Sequence, residues 1–109
     1  MITITIYRDQ KGAYRGFDTI GHAEYAQTGE DIVCAGASAL VMNAVNSIEA
    51  FTEDVFDVRT LEETGFISFR FQKEASHDGT LLMNSLVFGL QGIHDFYGDE
   101  YISLQFKEV

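Results

Sequence analysis

The chain opens on strict alternation: Ile2, Ile4 and Ile6 interleave with Thr3, Thr5 and Tyr7. A period of two built from β-branched residues predicts a strand with one buried face. Asp9-Gln10-Lys11-Gly12 has the composition of a turn, and Tyr14 to Gly21, with Tyr14, Phe17 and Ile20 apolar, reads as the hairpin partner. From His22 to Asp31 the chain is polar, carries one glycine and lacks periodicity, which predicts a loop longer than a tight connection requires. Asp31 then stands where an N-cap belongs, ahead of a long helical pattern. Val33, Ala37, Leu40, Val41, Ala44, Val45, Ile48 and Phe51 follow i, i+3, i+4 spacing and are the expected core stripe.

Two further alternating runs, Val55 to Thr60 and Gly65 to Phe71, flank Leu61-Glu62-Glu63-Thr64 and predict a second hairpin. Phe69 and Phe71 take the face opposite Ser68 and Arg70. A second helix is expected from His77 to about Tyr97, with Leu82, Leu86, Leu90 or Gly89, Ile93 and Phe96 inward, stopped by Gly98-Asp99. Tyr101 to Phe106 alternates as a closing strand. The order β-β-α-β-β-α-β with two amphipathic helices predicts an α+β fold: a two-layer sandwich, a largely antiparallel sheet with two helices on one face.

The 109 residues (12.2 kDa) suit one domain, 1–109, with room for a single compact site. Apolar residues form 46% of the chain and charged ones 22%, enough buriable surface to exclude a disordered or fibrous chain. No repeat or low-complexity tract appears. Seven Lys and Arg against 17 Asp and Glu leave a net charge of -10, which repels phosphate backbones, so no direct nucleic-acid ligand is expected. The uncharged run Gly79 to Ile93 falls short of the roughly 20 apolar residues of a bilayer span, and the N-terminus lacks a basic start and an apolar signal core. No membrane association and a cytoplasmic location are the expectations. Cys34 is the sole cysteine, so it staples nothing within the chain and builds no Cys-based zinc site. His77 and His94 lack metal-ligand spacing with each other and with Cys34, and neither metal nor cofactor is expected.

If Asp31 caps the first helix, Cys34 lies in its first turn, near unpaired N–H groups and the positive end of the dipole, where a thiolate is favoured. The Asp31 carboxylate opposes that effect. His22 ends the second strand, and the loop after it returns to the helix start, so imidazole and thiol are cheaply brought together. Such a pair can move the thiol proton and later protonate a leaving amine. Ala35, Gly36, Ala37 and Ser38 keep the helix narrow, which lets a peptide approach the backbone beside Cys34. Ser38 lies one turn beyond the thiol; its other use is a bond to a carbonyl of its own helix. On residues alone Cys34 reads first as a small buried apolar group. The competing functions are then a non-catalytic binding module with a structural thiol, or a redox sensor without an internal resolving cysteine.

Gly21-His22-Ala23, and after the loop Asp31-Ile32-Val33-Cys34-Ala35-Gly36-Ala37-Ser38-Ala39-Leu40, resemble the signature of the ribosomal-processing cysteine protease (Prp) family. The order of strands and helices matches over essentially the whole chain. The resemblance implies a bacterial cysteine endopeptidase, homodimeric, that removes a short N-terminal extension from large-subunit ribosomal protein number twenty-seven after a hydrophobic, aromatic-containing sequence. It implies Cys34 as nucleophile and His22 as general base and acid, with Gly21, Asp31 and Ser38 in support. Glu24 to Glu30 is expected to close over a bound peptide. The surplus of apolar residues on the second helix (Leu81, Leu82, Met83, Leu86, Val87, Phe88, Leu90) suggests both sheet packing and an interface between copies.

Overall fold

A computed structural model describes residues 1–21 and 28–109, and of 28–31 the backbone only. The described elements are β1 (Ile2–Arg8), β2 (Tyr14–Ile20), α1 (Thr28–Phe51), β3 (Phe56–Leu61), β4 (Phe66–Phe71), α2 (His77–Tyr97) and β5 (Ile102–Glu108), with a 3₁₀ turn at Glu62–Thr64. The expected α+β order holds. The sheet runs β3-β4-β2-β1-β5, antiparallel throughout except for the parallel pairing of β1 with β5.

Alternation does what it predicted: Ile4 and Ile6 are fully buried and Ile2 nearly so, joined by Phe17, Phe69, Phe71 and Ile102. Phe69 stacks on Phe17 and Phe56 with centroids 5.2 and 4.8 Å apart and meets Phe71 edge-on at 4.9 Å. These are the offset and edge geometries that aromatic rings prefer. Onto this layer α1 sets Val33, Ala37, Val41, Ala44, Val45 and Ile48, and α2 sets Met83, Leu86 and Leu90. The Tyr14 hydroxyl donates to Asn84 Oδ1 at 2.6 Å, tying α2 to β2. Ile32–Phe51 is long and apolar enough to cross a bilayer by composition, yet its apolar stripe is the part of the core that covers the sheet.

Four expectations need correction. The first helix begins at Thr28, three residues before Asp31, so Asp31 is a first-turn residue and not the N-cap. Acidic residues suit the positive end of a helix as well as a cap position, so one aspartate did not locate the boundary. Part of the expected loop, 28–31, is therefore helical; its remainder, 22–27, lies outside the described residues. Phe51, the last residue of α1, is 75% exposed, so the buried stripe of that helix ends at Ile48. Phe96 is 81% exposed and packs edge-on against Tyr97, while Met83, absent from the expected stripe, is fully buried. Leu86 and Leu90 of the expected stripe are buried and Leu82 and Ile93 pack against the core, with Gly79 and Met83 completing the buried line of α2.

Candidate active site

At the end of β2 the chain must leave the sheet sharply, and Gly21 makes that possible. Its φ is +103°, and a Cβ there would lie 2.4 Å from the Met1 carbonyl oxygen. Only glycine fits a left-handed backbone in such close approach. Its N–H donates to the Thr64 carbonyl at 3.0 Å, which fastens the tip of the β3–β4 hairpin to the strand end. His22 follows directly in the chain and lies outside the described residues, as do the side chain of Asp31 and positions 24–27 of the segment 24–30 expected to close over a peptide.

Cys34 is a free, half-buried thiol in the second turn of α1. The earlier helix start moves it about a turn away from the amides that lack an intrahelical partner, and the dipole effect fades within the first turn. The helix terminus therefore lies farther from this sulfur than the sequence suggested. The run of small residues divides by role. Ala37 is fully buried under the sheet, and Gly36 faces α2, its missing Cβ 3.5 Å from Ile93 Cδ1. Gly89 answers from α2, where a Cβ would meet Leu40 Cδ1 at 2.9 Å. The absence of a side chain at Gly89 leaves room for Leu40 between the helices, whereas the approach at Gly36 is ordinary van der Waals packing. Of the four, Ala35 is exposed and Ser38 half-buried, and these are the ones open to a ligand.

Ser38 and Val41 of α1 form one wall of a cleft of about 260 Å³. Ile2, Thr19 and Gly21 close it from the strand ends, and the hairpin tip supplies Leu61, Glu62, Phe66 and Ile67. The cleft therefore touches Gly21, the neighbour of His22, and Ser38, one turn from Cys34. Its size suits a single side chain better than a whole small molecule. The hairpin wall was missed from sequence; its signal was the pair of apolar residues, Leu61 and Phe66, on either side of the acidic turn.

The other two imidazoles are engaged elsewhere. His94 Nε2 pairs closely with Asp99, and Nδ1 lies 3.6 Å from Asp95 Oδ1. The hydrogen bond to Asp99 raises the His94 pKa above its usual value; partial desolvation opposes this, and the charges of Asp99 and Asp95 add to it. His77 is exposed, 3.3 Å from Asp78, beside the α2 N-cap Ser76, whose hydroxyl accepts from the Gly79 N–H. Among the described residues no cluster of three or more His, Cys, Asp or Glu could hold a metal.

A sheet covered by two helices, with a thiol near a side-chain-sized cleft, is an architecture suited to thiol-dependent peptide chemistry. Over residues 1–103 the chain matches the family described as cysteine protease Prp. A Bacillus subtilis relative, ribosomal processing cysteine protease Prp, is 33% identical over 91% of this chain and 92% of its own. Two crystal structures of the Staphylococcus aureus ribosomal processing protease Prp cover 98% of this chain and all of their own. The one with a substrate peptide is 31% identical at a TM-score of 0.91. The one with a covalently linked product peptide is 32% identical at 0.88. The chain belongs to the Prp family of cysteine proteases. Membership displaces the reading as a non-catalytic binding module.

Proposed function

We propose that this protein is a cytoplasmic endopeptidase that trims the N-terminal extension of large-subunit ribosomal protein number twenty-seven, with Cys34 as nucleophile and His22 as general base and acid. In that reaction His22 takes the thiol proton and the sulfur attacks the scissile carbonyl. The tetrahedral oxyanion collapses to a thioester as His22 protonates the departing amine. Water, deprotonated by His22, then cleaves the thioester, releasing the new carboxylate and restoring the thiol. Gly21 directs the chain into His22, Ser38 borders the cleft, and Asp31 stands in the helix turn before Cys34. The observation that carries the reading is the apolar cleft, bounded by the residue before His22 and by the residue one turn after Cys34. Leu61, Phe66 and Ile67 offer it to an aromatic or aliphatic side chain near the cut. The S. aureus relative with its covalently linked product peptide supports a covalent route.

The test is cleavage of a peptide copying the extended N-terminus, followed by mass spectrometry. Cys34→Ser and His22→Ala are each expected to lose at least about a hundredfold in kcat/KM, the scale of a lost acid–base or nucleophilic group. Equal rates in all three proteins refute the mechanism.

The partner is a second copy of the chain, docked through α2. Leu81 and Phe88, two turns apart, are 58% and 83% exposed on one side of that helix, with Phe96 beyond them. Lone exposed apolar residues are ordinary, but several large ones on one helix face favour association. Sedimentation velocity is expected to show a dimer that Phe88→Glu dissociates.

A further inference from the structure

The cleft is not uniformly apolar. Among the described residues lining it, Glu62 is the only one with an ionisable side chain, and it is exposed at the rim in the 3₁₀ turn. No basic residue is among those lining residues. Arg59, nearest in sequence, borders a separate depression with Asp57, Ser68 and Arg70. The turn is geometrically set: Gly65, at φ +64°, returns its N–H to the Glu62 carbonyl at 3.3 Å, and the Gly21–Thr64 hydrogen bond holds the tip against the strand end. The backbone that carries the Glu62 carboxylate is therefore held beside an apolar hollow, in a chain of net charge -10.

We infer that Glu62 is a specificity-determining residue: it selects peptides that carry a basic residue next to the apolar side chain seated in the cleft. The inference rests on the reading of that cleft as the peptide-binding groove. The apolar walls bind the side chain by burial. Glu62 then discriminates among the flanking residues by charge, favouring Lys or Arg and repelling Asp or Glu. Since the carboxylate is in solvent, the discrimination is modest and salt-sensitive: about 2- to 5-fold per charge at low ionic strength, vanishing near 1 M salt, where screening acts within about 3 Å.

Binding separates this from catalysis. Full-length Cys34→Ala protein is titrated, by fluorescence anisotropy, with labelled peptides in which one Phe between Gly-Ser spacers is flanked by Lys, Gln or Glu. The expected order is Lys tighter than Gln tighter than Glu, about 2- to 5-fold per step. Glu62→Gln is expected to erase the preference, Glu62→Lys to reverse it, and 1 M salt to abolish it. Equal affinities for the three peptides, or a Lys preference that survives Glu62→Gln, overturns the inference. Turnover by the Cys34 protein is a separate measurement, so a failed mechanism and a failed charge preference give different results.

Discussion

Replacing Gly21 by alanine tests the claim that a close approach of two strand ends positions the site. Gly21 and Gly12 both have left-handed backbones, at φ +103° and +84°. Any L-residue there incurs about 1–2 kcal/mol from its Cβ and carbonyl. The two differ in surroundings: a Cβ at Gly12 meets nothing within 4 Å, whereas one at Gly21 would sit 2.4 Å from the Met1 carbonyl oxygen and 3.4 Å from Ile2 Cα. The neighbour is main chain, held where the Ile2 N–H donates to the Tyr101 carbonyl and β1 starts pairing with β5. Relief requires moving backbone by about an ångström, a strain comparable to core overpacking at about 1–3 kcal/mol. Gly12→Ala should thus cost about 1–2 kcal/mol and Gly21→Ala about 2–5 kcal/mol. For a domain of this size each kcal/mol lowers Tm by about 4–8 °C, so Gly21→Ala should melt at least about 4 °C below Gly12→Ala. Scanning calorimetry reads the difference, and kcat/KM should fall only in Gly21→Ala, whose turn leads into His22. Melting temperatures within about 2 °C of each other would refute the close-approach argument.

Two pH dependences follow from charges outside the cleft. Asp18 is pushed up by burial, but this is outweighed by hydrogen bonds from Arg70, Ser68 and Tyr7 and by the Arg70 charge, leaving its pKa below the usual carboxylate value. The Arg70 guanidinium grips both carboxylate oxygens at 2.9 and 3.2 Å. A depressed folded pKa gives stability that is complete above the unfolded value of about 3.9 and lost as pH falls through the folded one. Asp18→Asn should therefore flatten the acid limb of a Tm–pH curve below about pH 4, and an unchanged limb would count against the network. His94 has the opposite sign. Its raised pKa gives stability complete below about pH 6.5 and lost as pH climbs through the higher folded value, so Asp99→Asn should remove a decline in Tm on the alkaline side of neutrality.

Local pattern determined a good deal of this protein. The alternation of Ile2, Ile4 and Ile6 dictates a one-sided strand wherever it pairs, because successive side chains must take opposite faces. The stripe from Val33 to Ile48 likewise demands a helix with one buried side, and the Gly-His and Cys34 blocks marked the family. Tertiary structure decided what local pattern leaves degenerate. Nothing in Tyr101–Phe106 states that β5 lies parallel to β1, since strand periodicity is the same for either neighbour and either direction. Leu82 and Met83 are equally apolar, and packing alone decides that Met83 is fully buried while Phe88 and Phe96 stay exposed. The cleft wall at Leu61, Glu62 and Phe66 reaches Ser38 only because β4 pairs with β2 and brings the hairpin tip to Gly21. Sequence periodicity encodes which face of an element is buried; the surface that buries it is set by packing among elements distant in the chain.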